Sequence, residues 1–292
     1  MSSPSDANVL LIDGVLRPNA AASLYQRGEP LEVWPLYIGT RWAELHDVGP
    51  ILVALQGPSN LISETCKNAF QQADASLLYS RAPIQVVAAH LRRFIAPPDV
   101  LGGKGLLRFA DPLVTRYWLG SYQGMHLDAV LGPIDAWHTP ENPHSWALEQ
   151  PAQWKSFYRA APAPEWADTD AQLGDAQLRA LDQAARWRFM ERLNQSFECS
   201  HPQRLAQLDK RTRTQWFDQR LDEAQTWGLS SERSLAIWAE YSLRWGAGFT
   251  ERPDTPYQQW LASTAGALKL APELRIQQMD NDCLAIEIDE EV

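Results

Sequence analysis

The chain has 292 residues, 45% of them apolar, and carries a formal net charge of −10 at pH 7. This length and apolar content allow a sizeable core in one or two domains. The negative charge argues against nucleic acid as a partner, because binding a phosphate backbone requires clustered lysine and arginine.

The cysteines and the hydropathy pattern indicate a cytoplasmic protein. Cys66, Cys199 and Cys283 lie far apart, and this odd number fits neither a disulfide framework nor a paired metal motif. The first residues lack the charged and apolar regions of a signal peptide, and no stretch approaches 18 uninterrupted apolar residues. We therefore expect a reducing compartment and no membrane insertion.

Strands and helices alternate in the first half of the chain. Short apolar runs bounded by turn residues predict strands at 9–12, 33–38, 51–55, 77–79 and 106–109. Caps and apolar residues at helical spacing predict helices at 19–27, 59–73, 83–94 and 114–122. This alternation predicts an α/β lobe over residues 1–150, with a mixed sheet and flanking helices.

The composition changes after this lobe. The sequence Ala-Ala-Pro-Ala-Pro at 160–164 cannot continue a helix, and it predicts a linker over 151–164. Helical periodicity then predicts an all-α lobe over 165–292. Near its end, Cys283–Ile288 alternates at a period of two, which predicts a C-terminal edge strand and makes Ile286 and Ile288 candidates for strand addition by a partner.

Three tryptophans lie near the predicted junction of the lobes: Trp146, Trp154 and Trp166. Aromatic side chains are enriched at recognition surfaces as well as in cores. These three are therefore candidates for lining a partner-binding groove between the lobes, and the alternative is that they join the lobes by packing.

Six short motifs, in this order along the chain, resemble the bacterial type VI secretion effector adaptor and chaperone family: Leu11-Ile12-Asp13-Gly14, Trp34-Pro35-Leu36, Gly49-Pro50-Ile51-Leu52, Arg108-Phe109-Ala110-Asp111-Pro112, Leu131-Gly132-Pro133-Ile134 and Trp227-Gly228-Leu229-Ser230-Ser231-Glu232. The resemblance implies a protein without catalytic activity that binds its cognate toxic effector. It also implies a second partner, the spike protein onto which the effector is loaded.

Arg108 and Asp111 are the charged residues of the fourth motif. Three residues apart on a strand, they would point to opposite faces unless the chain turned at Ala110, which Asp111-Pro112 favours. We expect the arginine to pair with Asp111 or with Asp13 and to tie strand ends together. The resemblance supports a structural or recognition role for Asp13, Arg108 and Asp111.

The spacing of the residues argues against each candidate site for a phosphate group or a metal. The glycine-rich stretch at 102–105 contains Lys104, but leucines follow where a phosphate-binding loop needs serine or threonine. His138 and His144 lie six residues apart across prolines, unlike the ligands of zinc sites, and His126 with Asp128 lacks a third ligand nearby. We expect no metal and no cofactor.

Catalytic constellations are equally weak. Ser80, His90 and Asp111 occur in a triad order, yet Ser80 lacks the motif that exposes a nucleophile. The pair His46-Asp47 with Asp13 could serve as acid and base, but no flanking signature supports it. Two alternatives stay open: a secreted hydrolase with an unrecognised active site, and a scaffold protein with no role in secretion.

Overall fold

A computed structural model of the chain describes residues 4–100, 102–103, 105–147 and 153–290. The chain divides into two compact units. The first comprises Met1–Pro143 with Gln150–Ala185, and the second His144–Glu149 with Arg186–Val292. The composition indicates a boundary at 151–164, whereas this division falls at Ala185, inside a long helix.

The first unit is built on a six-stranded sheet in the order β2-β3-β1-β4-β5-β6. Its strands are β1 (Val9–Asp13), β2 (Leu31–Pro35), β3 (Pro50–Leu55), β4 (Ala75–Tyr79), β5 (Ala136–Pro140) and β6 (Trp154–Tyr158). The predicted α/β class is confirmed, but all five pairings are antiparallel, so the sheet is not mixed.

Both faces of the sheet are covered, which explains why β1 is apolar at successive positions. Leu10 and Ile12 face one core, and Val9 and Leu11 face the other. Six α-helices lie wholly within this unit among its described residues: α1 (Ala20–Gln26), α2 (Leu61–Lys67), α3 (Ala69–Asp74), α4 (Ile84–Leu91), α5 (Pro112–Gly120) and α6 (Gly124–Leu131). The four helices predicted here correspond to α1, α2 with α3, α4 and α5.

The predicted strand at 106–109 is wrong. Leu106 to Arg108 has no regular secondary structure and Phe109 begins a turn. The Leu107 N–H donates to the carbonyl of Ile95, which caps the end of a short 3-10 helix. Because no strand lies beside this segment among the described residues, it forms no ladder. The sheet instead contains β5 and β6, which the sequence patterns do not predict.

The second unit is helical and has its own core. It contains most of α7 (Asp175–Ser200), with α8 (Pro202–Leu205), α9 (Arg213–Trp227), α10 (Glu232–Trp245), α11 (Pro256–Ser263) and α12 (Pro272–Glu290). Gly228 ends α9 in the left-handed conformation at φ 104°, and the Ser231 hydroxyl caps α10 by accepting from the Ser234 N–H. None of the described helices has the length and apolarity needed to cross a bilayer.

The predicted C-terminal strand is wrong, because Cys283–Ile288 continues α12. Pro272 occupies the first turn of this helix, and Ile276, Met279 and Cys283 recur at helical spacing against the core. Ile286 and Ile288 therefore lie in a helix, whose backbone groups bond internally and present no strand edge to a partner.

Candidate functional site

Arg108 joins two buried carboxylates at one end of the sheet. Its Nη2 lies 2.9 Å from Asp13 Oδ1 and 3.3 Å from Asp111 Oδ2, and its Nε donates to Asp13 Oδ2 at 3.3 Å. Asp13 and Asp111 are 4% and 1% exposed, whereas a third of the Arg108 side chain reaches solvent. The two expected pairings of Arg108 therefore occur together, and they connect the end of β1 to the start of α5.

The local sequence places each carboxylate. Asp111 N-caps α5 by accepting from the N–H groups of Leu113 and Val114, with Pro112 in the first turn. The predicted turn at Ala110 is present, since the Asp111 N–H donates to the Arg108 carbonyl at 3.0 Å. Asp13 likewise accepts from the N–H groups that follow it, at Val15 and Leu16. Each carboxylate thus has backbone donors as well as the arginine.

Two glycines let the neighbouring loops approach this network. A Cβ at Gly14 would lie 2.5 Å from the Gly49 carbonyl oxygen, and a Cβ at Gly49 would lie 2.6 Å from the Tyr37 ring. Only glycine permits these approaches without displacing the backbone or the ring. The loops after β1 and β2 are consequently fixed against each other beside Asp13.

Exposed apolar side chains surround a cavity of about 190 Å³ over this network. We call four of them the apolar rim: Val15, Leu45, Val48 and Leu106, which are 41–49% exposed. They come from three separate loops and converge on one opening. A convergent apolar surface around buried polar groups is typical of a protein-binding site.

Tyr37 lines the same cavity and is 7% exposed. Burial raises the pKa of its phenol, and the negative charge of Asp13 raises it further, against a smaller opposing effect of Arg108. The phenol is therefore protonated at neutral pH, and the floor of the cavity combines an aromatic ring with the Asp13–Arg108 pair.

The three predicted tryptophans belong to three different cores. Trp154 packs on one core of the sheet, with Leu10 and Ile12, while Trp166 packs on the opposite core. Trp146 belongs to the second unit, where it is 4% exposed and packs against Phe217.

Trp146 is part of an aromatic stack. The His144 ring lies between it and Trp187, at centroid distances of 4.2 and 4.5 Å. His144 Nδ1 lies 2.6 Å from Glu191 Oε1, which also accepts from the Ser145 N–H. Although burial acts to raise the pKa of Glu191, these hydrogen bonds hold it below its ordinary value. The stack fixes residues 144–146 to α7 within the second unit.

The residues of the considered triad are engaged elsewhere. Ser80 Oγ donates to the Pro133 carbonyl at 2.7 Å, and Asp111 binds Arg108. Burial lowers the pKa of His90 to about 4, so its neutral ring donates from Nε2 to the Val130 carbonyl at 2.8 Å. Each group has a structural partner instead of another member of the triad.

The other chemical groups are also dispersed. His46 and Asp47 contact each other at 3.2 Å on the surface, whereas Asp13 is bound by Arg108. His138 bonds Ser156 in the first unit, and His144 bonds Glu191 in the second. Within the described residues, no group of three or more His, Cys, Asp or Glu side chains has the arrangement of a metal site.

The sequence reasoning missed the apolar rim. Its residues are single apolar side chains within polar loops, as in Leu45-His46-Asp47-Val48. The available signal was their position beside Asp13-Gly14, Gly49-Pro50 and Arg108, because turns at strand ends bring adjacent loops together. Nothing in the periodicity distinguishes such a residue from an isolated exposed leucine or valine.

Comparison with known families supplies one match. Residues 10–129 match the model of a domain of unknown function, DUF4123, a family linked to type VI secretion effectors. This stretch covers less than half of the chain, and it contains Asp13, Arg108, Asp111 and the whole apolar rim. Neither the curated proteins nor the solved structures gave a match.

Proposed function

We propose that this chain is a cytoplasmic adaptor and chaperone that binds a cognate toxic effector and promotes its loading onto the spike protein of a type VI secretion system. The observation that carries the proposal is the apolar rim, which lies inside the segment that matches DUF4123. Of the thirteen large apolar side chains exposed among the described residues, four surround this one cavity.

The apolar rim is suited to binding another protein. Covering the exposed half of each of its four side chains would contribute about 1 kcal/mol per residue, or roughly 4 kcal/mol together. A gain of this size corresponds to about a thousandfold in affinity. The ion pairs of Arg108 and the close approaches at Gly14 and Gly49 already hold the loops in place, so ordering them on binding costs little.

The proposed role is binding without catalysis. In support, Ser80, His90 and Asp111 each have structural hydrogen-bond partners, and Asp13 is bound by Arg108. We expect the purified chain to show no turnover of peptidoglycan, lipid or nucleic acid. Turnover that is lost on replacing Asp13 or His46 would favour a hydrolase instead.

The experiment uses the genes adjacent to the one that encodes this chain. Those encoding a spike protein and a toxin are co-expressed with the full chain, and its deletion is tested in the native strain. We expect the toxin to co-purify with the chain and the deletion to abolish toxin delivery while spike secretion continues. Export of this chain as the toxic species, or normal toxin delivery in the deletion strain, would refute the proposal.

A further inference from the structure

A second surface of the first unit has the opposite charge from the protein as a whole. Arg116 on α5, Lys155 on β6 and Arg179 near the start of α7 line one cavity of about 470 Å³, which we call the basic pocket. Glu141 is the one carboxylate among its lining residues. Three cations thus converge from three elements in a chain of net charge −10.

These cations are available to a ligand. Arg116 lies over the ring of its neighbour Tyr117, with its guanidinium carbon 5.2 Å from the centroid. No described residue pairs with the side chains of Lys155 or Arg179, and both residues are exposed. By contrast, Arg17, Arg27 and Arg159 each have a carboxylate partner. Among the described residues, the lining of the basic pocket therefore carries three cations against one carboxylate.

The neighbouring strand indicates the form of the ligand. β6 is the last strand of the sheet, and its second edge pairs with no strand in the described part of the chain. Two hydrogen bonds flank the β5–β6 ladder, from Glu141 N–H to the Gln153 carbonyl and from Arg159 N–H to the Asp135 carbonyl. They show which residues of β6 form hydrogen bonds with β5. Residues at alternate positions, such as Ser156, therefore direct their backbone groups away from β5.

We propose that the basic pocket binds an acidic, extended segment of a partner protein, whose carboxylates meet Arg116, Lys155 and Arg179 while its backbone lies along β6. Strand addition supplies the main-chain bonds, and the charges supply selectivity and association rate. A nucleic acid is disfavoured, because three cations on an acidic protein do not form a track for a phosphate backbone. The inference deepens the proposed function, since it specifies the chemistry of the bound partner.

The test measures binding of a twelve-residue peptide of alternating glutamate and serine to the full chain by fluorescence anisotropy. One variant combines Arg116→Gln, Lys155→Gln and Arg179→Gln. A charge-matched control combines Lys67→Gln, Lys210→Gln and Arg211→Gln, outside the basic pocket. We expect the first variant to weaken binding at least tenfold and the control to bind like the parent.

Equal losses in both variants would show attraction by overall charge alone and would overturn the proposal, as would binding that neither variant changes. A single-stranded oligonucleotide that binds with the same dependence on the three residues would overturn the assignment of a protein ligand. Capture of the toxin, measured with the same variants, separates this inference from the proposed function. If the toxin is captured and the peptide is not bound, this inference fails and the adaptor role stands.

Discussion

Replacing Arg108 by glutamine should destabilise the first unit. The change removes the cation from Asp13 and Asp111, which are 4% and 1% exposed. Removing one partner of a fully buried ion pair costs about 3–5 kcal/mol. Here a third of the Arg108 side chain is exposed, so water replaces part of the interaction, and each carboxylate keeps its backbone donors. We therefore expect a loss of about 2–3 kcal/mol.

Urea denaturation followed by hydrogen exchange is the appropriate assay, because two units need not unfold together. Peptides from β1 and α5 should lose protection, and those from α10 should not. Adding Asp13→Asn to Arg108→Gln should restore part of the stability, since it removes one of the two facing charges. If Arg108→Gln unfolds at the same urea concentration as the parent, the network does not hold these elements together.

Three other changes have definite outcomes. Trp146→Ala should cost the second unit about 3–5 kcal/mol in urea unfolding, and a loss below 1 kcal/mol would contradict its place in the core. Gly49→Ala should cost about 1–3 kcal/mol, whereas Gly105→Ala, with no atom within 4 Å of the added Cβ, should be neutral. Hydrogen bonds from Ser234 and neighbouring residues lower the pKa of Glu273 to about 2, below its ordinary value of 4.5. Glu273 therefore stabilises the second unit above pH 4.5, and its contribution disappears as the pH falls towards 2. Melting curves should show a smaller acid dependence for Glu273→Gln, and equal dependence would refute this role.

Local sequence patterns predict those strands and helices whose buried residues lie close together in the sequence. The apolar runs at β1 and β3 are examples. β5 was missed because Ala-Trp-His-Thr-Pro combines polar residues with a proline, and its burial comes from packing against distant elements. The strand predicted at Cys283–Ile288 is wrong because the helix that begins at Pro272 continues through these six residues despite their alternating pattern.

The sequence predicts the charged pair of the candidate site but does not predict the apolar rim. Asp13 and Arg108 lie far apart in sequence, and their pairing was among the expected alternatives because each lies near the end of a predicted strand. The apolar rim depends on how three loops converge, which is set by the close approaches at Gly14 and Gly49. Close backbone packing of this kind leaves no periodic signal.

Toxin capture by a variant of the apolar rim tests the central claim most directly. Val48→Asp with Leu106→Asp places two charges at the cavity, and Val86→Asp with Met125→Asp places two at exposed apolar positions elsewhere in the first unit. We predict that the first pair lowers the affinity for the cognate toxin at least tenfold with stability within about 1 kcal/mol of the parent, and that the control pair captures it fully. Full capture by the first pair would contradict the account.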